Sequence, residues 1–129
     1  MTNVVGLSHE EGVIIDDVPL VRLVEVMGEG AAENVVNAAM REMSHRMAQM
    51  EQLYQAGEAF SLGRDARRLA RIGNEIGMTS LSLVARDVQR CAARGDMIAF
   101  SATWSRLIRI ADRSLDAIYG LAGCSGQGS

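Results

Sequence analysis

Val36, Met40, Met43, Met47, Met50 and Tyr54 recur at intervals of four, three, four, three and four residues. That spacing places all six side chains on one face of a helix, whereas the period of two in a strand would scatter them over both faces. The seam holds for about two and a half heptads, so it needs apolar partner surface along its whole length. Other helices are the natural source of that surface. Methionines in series can also hold a soft metal ion or line an adaptable groove. The regular period assigns these to core packing.

The rest of the chain supplies the partner helices. Asp16 and Asp17 precede Pro19, a helix-start pattern, and Leu20, Leu23, Val24 and Met27 then share a face that ends at Gly28-Glu29-Gly30. The seam helix is expected over residues 31–55, followed by a loop over 57–63. In the third helix Leu62, Ala66, Leu69, Gly73 and Ile76 share one face, and Arg64, Arg67, Arg68 and Arg71 share the opposite one. Gly77 breaks it, and Thr79 or Ser80 can cap the next helix, whose buried stripe is Leu81, Val84, Val88 and Cys91. Arg94-Gly95-Asp96 reads as a helix C-cap followed by an N-cap, not as an adhesion motif. Phe100, Trp104, Leu107, Ala111, Leu115 and Ile118 mark the last helix.

These elements predict an all-α chain: an antiparallel up-down-up-down four-helix bundle with a short extra N-terminal helix. The expected divisions are a mobile N-terminal lead over 1–15, the helical bundle over 16–121 and a disordered Gly/Ser tail over 122–129.

Charge and composition narrow the function classes. The net charge is −3, and all 13 basic residues are arginine. Acidic residues dominate 1–60 and basic ones 61–129. A mildly acidic balance argues against non-specific nucleic-acid binding. Arginine suits bidentate contacts to carboxylate or phosphate. No apolar run reaches the roughly 18–20 residues that span a bilayer, and no secretory leader is visible, so the expected location is cytoplasmic with no membrane partner. Cys91 and Cys124 form no disulfide framework, and no Cys/His cluster has metal-ligand spacing. No nucleophile–base pair and no phosphate-binding Gly loop appears, so the chain reads as a non-enzyme with no cofactor, no metal site and no catalytic residue.

The run from Asp65 to Gly77 resembles the signature helix of histidine phosphotransfer (HPt) domains, the relay modules of bacterial phosphorelays. That family's pattern is Ala-His-x-Leu-Lys-Gly, with a further Gly ten residues after the His. Ala66, Leu69 and Gly77 match it. Arg67 stands at the His position, Ala70 at the Lys position and Arg71 at the first Gly position. The order of helices over residues 16–121, including the Gly95-Asp96 turn, is similar to the family as well. The resemblance implies the HPt bundle and a place in two-component signalling. A guanidinium is a poor nucleophile, so Arg67 does not take the phosphoryl group.

The reading that follows is an HPt-like protein that binds a response-regulator receiver domain or a histidine kinase without itself carrying phosphate. Arg64, Arg67, Arg68 and Arg71 are its partner-binding residues, since receiver active sites are acidic. Three alternatives stay open. Phosphotransfer could run through His45, which a hairpin centred near residue 60 would place roughly 12 Å along the helix from the level of Arg67; His9 reads as solvated. Ile72-Gly73, Ile76-Gly77-Met78 and Leu83 fit the small and apolar positions of a helix-turn-helix DNA binder with Thr79–Arg94 as recognition helix, although Arg86 falls where that helix normally buries an aliphatic side chain. The bundle could also be purely structural, a homodimer sharing the methionine seam between chains.

Overall fold

The structure is a computed structural model that describes residues 13–127, with side chains described to residue 118. Five helices make up the described residues: α1 (Val18–Met27), α2 (Glu29–Gln55), α3 (Ala59–Glu75), α4 (Thr79–Arg94) and α5 (Met97–Gln127). The only β-type pairing among them is a single antiparallel bridge between Ile15 and Met78. Each helix packs on the next one in the chain, most extensively α3 on α4. No described helix is long and apolar enough to cross a membrane.

The methionine seam is buried within one chain. Met40, Met43 and Met50 are at most 2% exposed, and Met47, Val36 and Tyr54 pack against the same core. Tyr54 ends the seam by stacking on Phe100 and Trp104 of α5, with ring centroids 5.8 and 5.5 Å away. Its hydroxyl shares a 2.9 Å hydrogen bond with the Ser101 hydroxyl. An apolar ring with a polar tip thus joins α2 to α5 at the edge of the core. The stripes of the three later helices go where their spacing puts them, whereas Val24 and Met27 of the first helix stay 40% and 42% exposed. Leu62, Ala66, Leu69 and Ile76 of the α3 stripe, Leu81, Val84 and Val88 of α4, and Phe100, Trp104, Leu107, Ala111 and Ile118 of α5 are all buried.

Turns follow the glycines. Gly95 ends α4 in the left-handed region at φ 73°, and the Asp96 carboxylate accepts the Ala99 N–H at 3.1 Å to start α5, which is the cap pair expected for Arg94-Gly95-Asp96. Gly77 between α3 and α4 has φ +84°, and a Cβ there would overlap the Asp16 carbonyl oxygen. Only glycine meets both conditions.

Several expectations are corrected. The lead does not extend to residue 15, because Val13 and Ile15 are 1% and 0% exposed. Residues 13–16 lie across the α3–α4 turn as a short strap. Asp16 donates its N–H to the Gly77 carbonyl at 2.7 Å, and Ile14 donates to the Ser80 hydroxyl at 2.7 Å. Ser80 therefore anchors the strap and does not cap α4, whose N-cap is Met78. The expected loop over 57–63 is shorter, since α3 already begins at Ala59, and α2 begins at Glu29, inside the expected Gly28–Gly30 break. At the C-terminus the helical backbone continues to Gln127, through residues assigned to a disordered tail. Residues 1–12 of the lead, with His9, and residues 128–129 of the tail lie outside the described residues, as does the Cys124 side chain.

Candidate partner-binding groove

The α3–α4 pair builds the site, and small residues set how closely its helices approach. A Cβ on Gly63 would sit 3.0 Å from Ala92 Cβ, and one on Gly73 would sit 2.9 Å from Ser82 Oγ. These contacts join the start of α3 to the end of α4 and the end of α3 to the start of α4, so the two helices run antiparallel. Ser82 is buried and donates to the Ala70 carbonyl at 2.7 Å, which satisfies its hydroxyl inside the interface.

On the outer side of this close pair lies a concave groove of about 480 Å³, lined by Phe60, Gly63, Arg64, Arg67, Arg68, Arg71, Gln89, Ala92 and Ala93. All four arginines singled out in the sequence lie here, and all four are exposed. The cross-helix contact of Gly63 with Ala92 puts small residues in the groove wall. Longer side chains from α3 rise around them.

The electrostatics of the groove are one-sided. Among the described residues none of the four arginines lies within ion-pair distance of a carboxylate; the ion pairs are Arg46 with Glu42 and Asp65, and Arg90 with Asp87. Asp65, the acid nearest in sequence, is drawn away to Arg46 of α2 at 3.7 Å. Arg64/Arg67 and Arg68/Arg71 are three residues apart, and Arg64/Arg68 and Arg67/Arg71 four apart. Like-charged pairs at these spacings each destabilise a helix by a few tenths of a kcal/mol, so the stripe costs α3 on the order of 1–2 kcal/mol in isolation. An anionic partner would relieve that repulsion. Four planar forks at one concavity suit carboxylate or phosphate oxygens.

Phe60, Gln89 and Ala92 were missed in the sequence. Phe60 is 69% exposed. It stands four, seven, eight and eleven residues before Arg64, Arg67, Arg68 and Arg71, on the same helical face, and the signal was hidden only because 57–63 read as loop. Gln89 comes from α4, and its place beside the arginines follows from the antiparallel pairing of the two helices, which one helix's periodicity does not encode.

The other candidate residues lie apart from the groove. His45 is exposed on α2 and is not among the groove residues. Its level along the molecule differs from expectation. The α2–α3 turn falls at residues 56–58, not at 60, and Arg46 pairs with Asp65. The stretch of α2 around residue 46 therefore lies level with Arg67, where residue 53 was expected. Leu83, assigned to an apolar position of a helix-turn-helix, is 59% exposed, and Arg86 is exposed as well. Cys91 is a partly buried free thiol. No group of three or more His, Cys, Asp or Glu side chains among the described residues could hold a metal ion. No family model, no curated protein and no solved structure matches the chain.

Proposed function

We propose that this protein is an HPt-like signalling module that docks a response-regulator receiver domain or a histidine kinase through the α3–α4 groove and carries no phosphate itself. The observation that supports this reading is the set of four exposed arginines without carboxylate partners around one concavity. A receiver active site presents clustered carboxylates, which complement such a face. Phe60 adds an exposed aromatic beside the arginines, and Trp, Tyr and Arg anchors beside apolar contacts are typical of interface hot spots. In this reading α2–α5 form the up-down-up-down antiparallel bundle, α1 is the extra N-terminal helix, and the protein works in the cytoplasm. Arg67 and Arg71 occupy the places where an active HPt domain has its histidine and a glycine, so they meet the partner's acidic pocket first.

The experiment is a calorimetric titration of the full chain with receiver domains from the same genome, each with and without phosphorylation. The expected result is binding to at least one of them, weakened tenfold or more (about 1.4 kcal/mol) by Arg67→Ala and by Arg71→Ala. Binding that survives both substitutions removes the groove from the interface.

A further inference from the structure

Helix α1 is ten residues long and buries none of them. Only Arg22 and Glu25 in it are charged, and the remainder are apolar. Among the described residues, seven of the eleven exposed large hydrophobic side chains lie between residues 14 and 35, among them Val18 at 48%, Val21 at 49% and Val26 at 77%. Ile14 at 50% and Val35 at 38% are exposed on the strap and on α2, on either side of α1 in sequence. A concentration of exposed apolar side chains on one short element marks an interaction surface more often than isolated ones do.

The two charges on the patch indicate what covers it. At 100° per residue Val18, Val21, Arg22 and Glu25 share the outward face of α1, while Pro19, Leu20 and Leu23 turn inward and are half-buried. Neither Arg22 nor Glu25 has an ion-pair partner among the described residues. A second copy of the same helix, antiparallel and related by a two-fold axis between residues 22 and 25, sets Arg22 of each copy against Glu25 of the other. A parallel pairing would oppose like charges. The face is thus self-complementary in the way an isologous interface requires. The helix is about 15 Å long.

We infer that this chain forms a two-fold homodimer through the outer face of α1, with Arg22 and Glu25 paired across the axis. The surface is separate from the arginine groove, whose residues lie on α3 and α4, so a dimer leaves the groove residues outside the contact.

Sedimentation equilibrium of the full chain over a concentration series tests this. The weight-average mass should rise from the 13.9 kDa of one chain towards twice that value. Val21→Asp, at an exposed position, should give a monomer with an unchanged circular dichroism spectrum. Arg22→Glu and Glu25→Arg should each weaken association about tenfold or more (about 1.4 kcal/mol), and the double reversal should restore it to within a few-fold of the parent. A monomer at every concentration up to the solubility limit would overturn the proposal, as would a dimer that Val21→Asp leaves intact or single reversals without effect. If the chain is monomeric and deletion of residues 1–12 raises the binding of an apolar dye, its own N-terminal segment covers the patch, and the proposal fails.

Discussion

Arg46 of α2 reaches Asp65 of α3 at 3.7 Å, and this pair leaves the arginine stripe of α3 without its nearest acid. Asp65 is 19% exposed at its side chain and faces α2, whereas Arg64, Arg67 and Arg68 beside it in sequence face solvent. The helix thus sorts its charges by face: one carboxylate inward to a single arginine, and the guanidiniums outward to the groove.

Removing the outward charges should leave the fold unharmed. Arg67→Ala and Arg71→Ala take away exposed side chains that hold no ion pair, so each should change unfolding free energy by no more than about 0.5 kcal/mol. A small gain is expected from relief of like-charge repulsion. Urea denaturation at low salt measures the stability. A loss of several kcal/mol would mean that these arginines hold the structure together.

The Gly77 turn should be far less tolerant. Gly77→Ala forces a Cβ onto the Asp16 carbonyl at φ +84°. Strained left-handed backbone costs about 1–3 kcal/mol, and the overlap adds displacement of the strap. Urea unfolding should therefore show a loss of at least about 2 kcal/mol. Gly57→Ala is the control, because its φ is also positive at +75° but nothing lies within 4 Å of the added atom. It should lose less.

Tyr54 permits its ring and its hydroxyl to be weighed separately. Tyr54→Phe removes only the Ser101 hydrogen bond and should cost about 1 kcal/mol. Tyr54→Ala also removes the contacts with Phe100 and Trp104 and should cost about 3 kcal/mol. Thermal unfolding followed by Trp104 fluorescence reads both, since this is the only tryptophan in the chain. Equal losses for the two variants would mean that the ring stack contributes nothing.

His45 decides between binding and relay. Incubated with a labelled phosphorelay, the protein should acquire no acid-labile phosphate, and His45→Ala should leave receiver binding within about twofold. A label that disappears with His45→Ala would show that the chain is an active transfer module with its histidine on α2.

How far the sequence carried depended on whether a feature was local. Met40, Met43 and Met50 are buried and Arg64, Arg67, Arg68 and Arg71 exposed because one helix's periodicity decides both. The same holds for Gly95 and Asp96, whose cap roles need only their neighbours. Val13 and Ile15 sit in a segment with no period, and their burial depends on a turn more than 60 residues away (the Ile14–Ser80 bond spans 66). Ser80 carried a good capping signal and lost that role to the same contact. In the groove, the arginines and Phe60 share one helical face and were in principle legible, whereas Gln89 and Ala92 enter only through the packing of α4 on α3. The register between α2 and α3 was misjudged because Gly57 to Gly63 looked like one loop. In fact Gly63 is inside α3, where its missing side chain admits Ala92.

The strap also has a kinetic consequence. The α3–α4 hairpin closes through contacts about ten to thirty residues apart, while residues 13–16 must find residues 77–80 across the length of three helices. Loop closure over that distance is entropically slower to reward, so the hairpin and its groove should assemble first and the strap last. On unfolding the order reverses: the strap, with few hydrogen bonds of its own, is the element whose release should precede global opening. Amide exchange at Asp16, whose N–H is held by Gly77, would then report a partly opened state in which α3 and α4 are still paired.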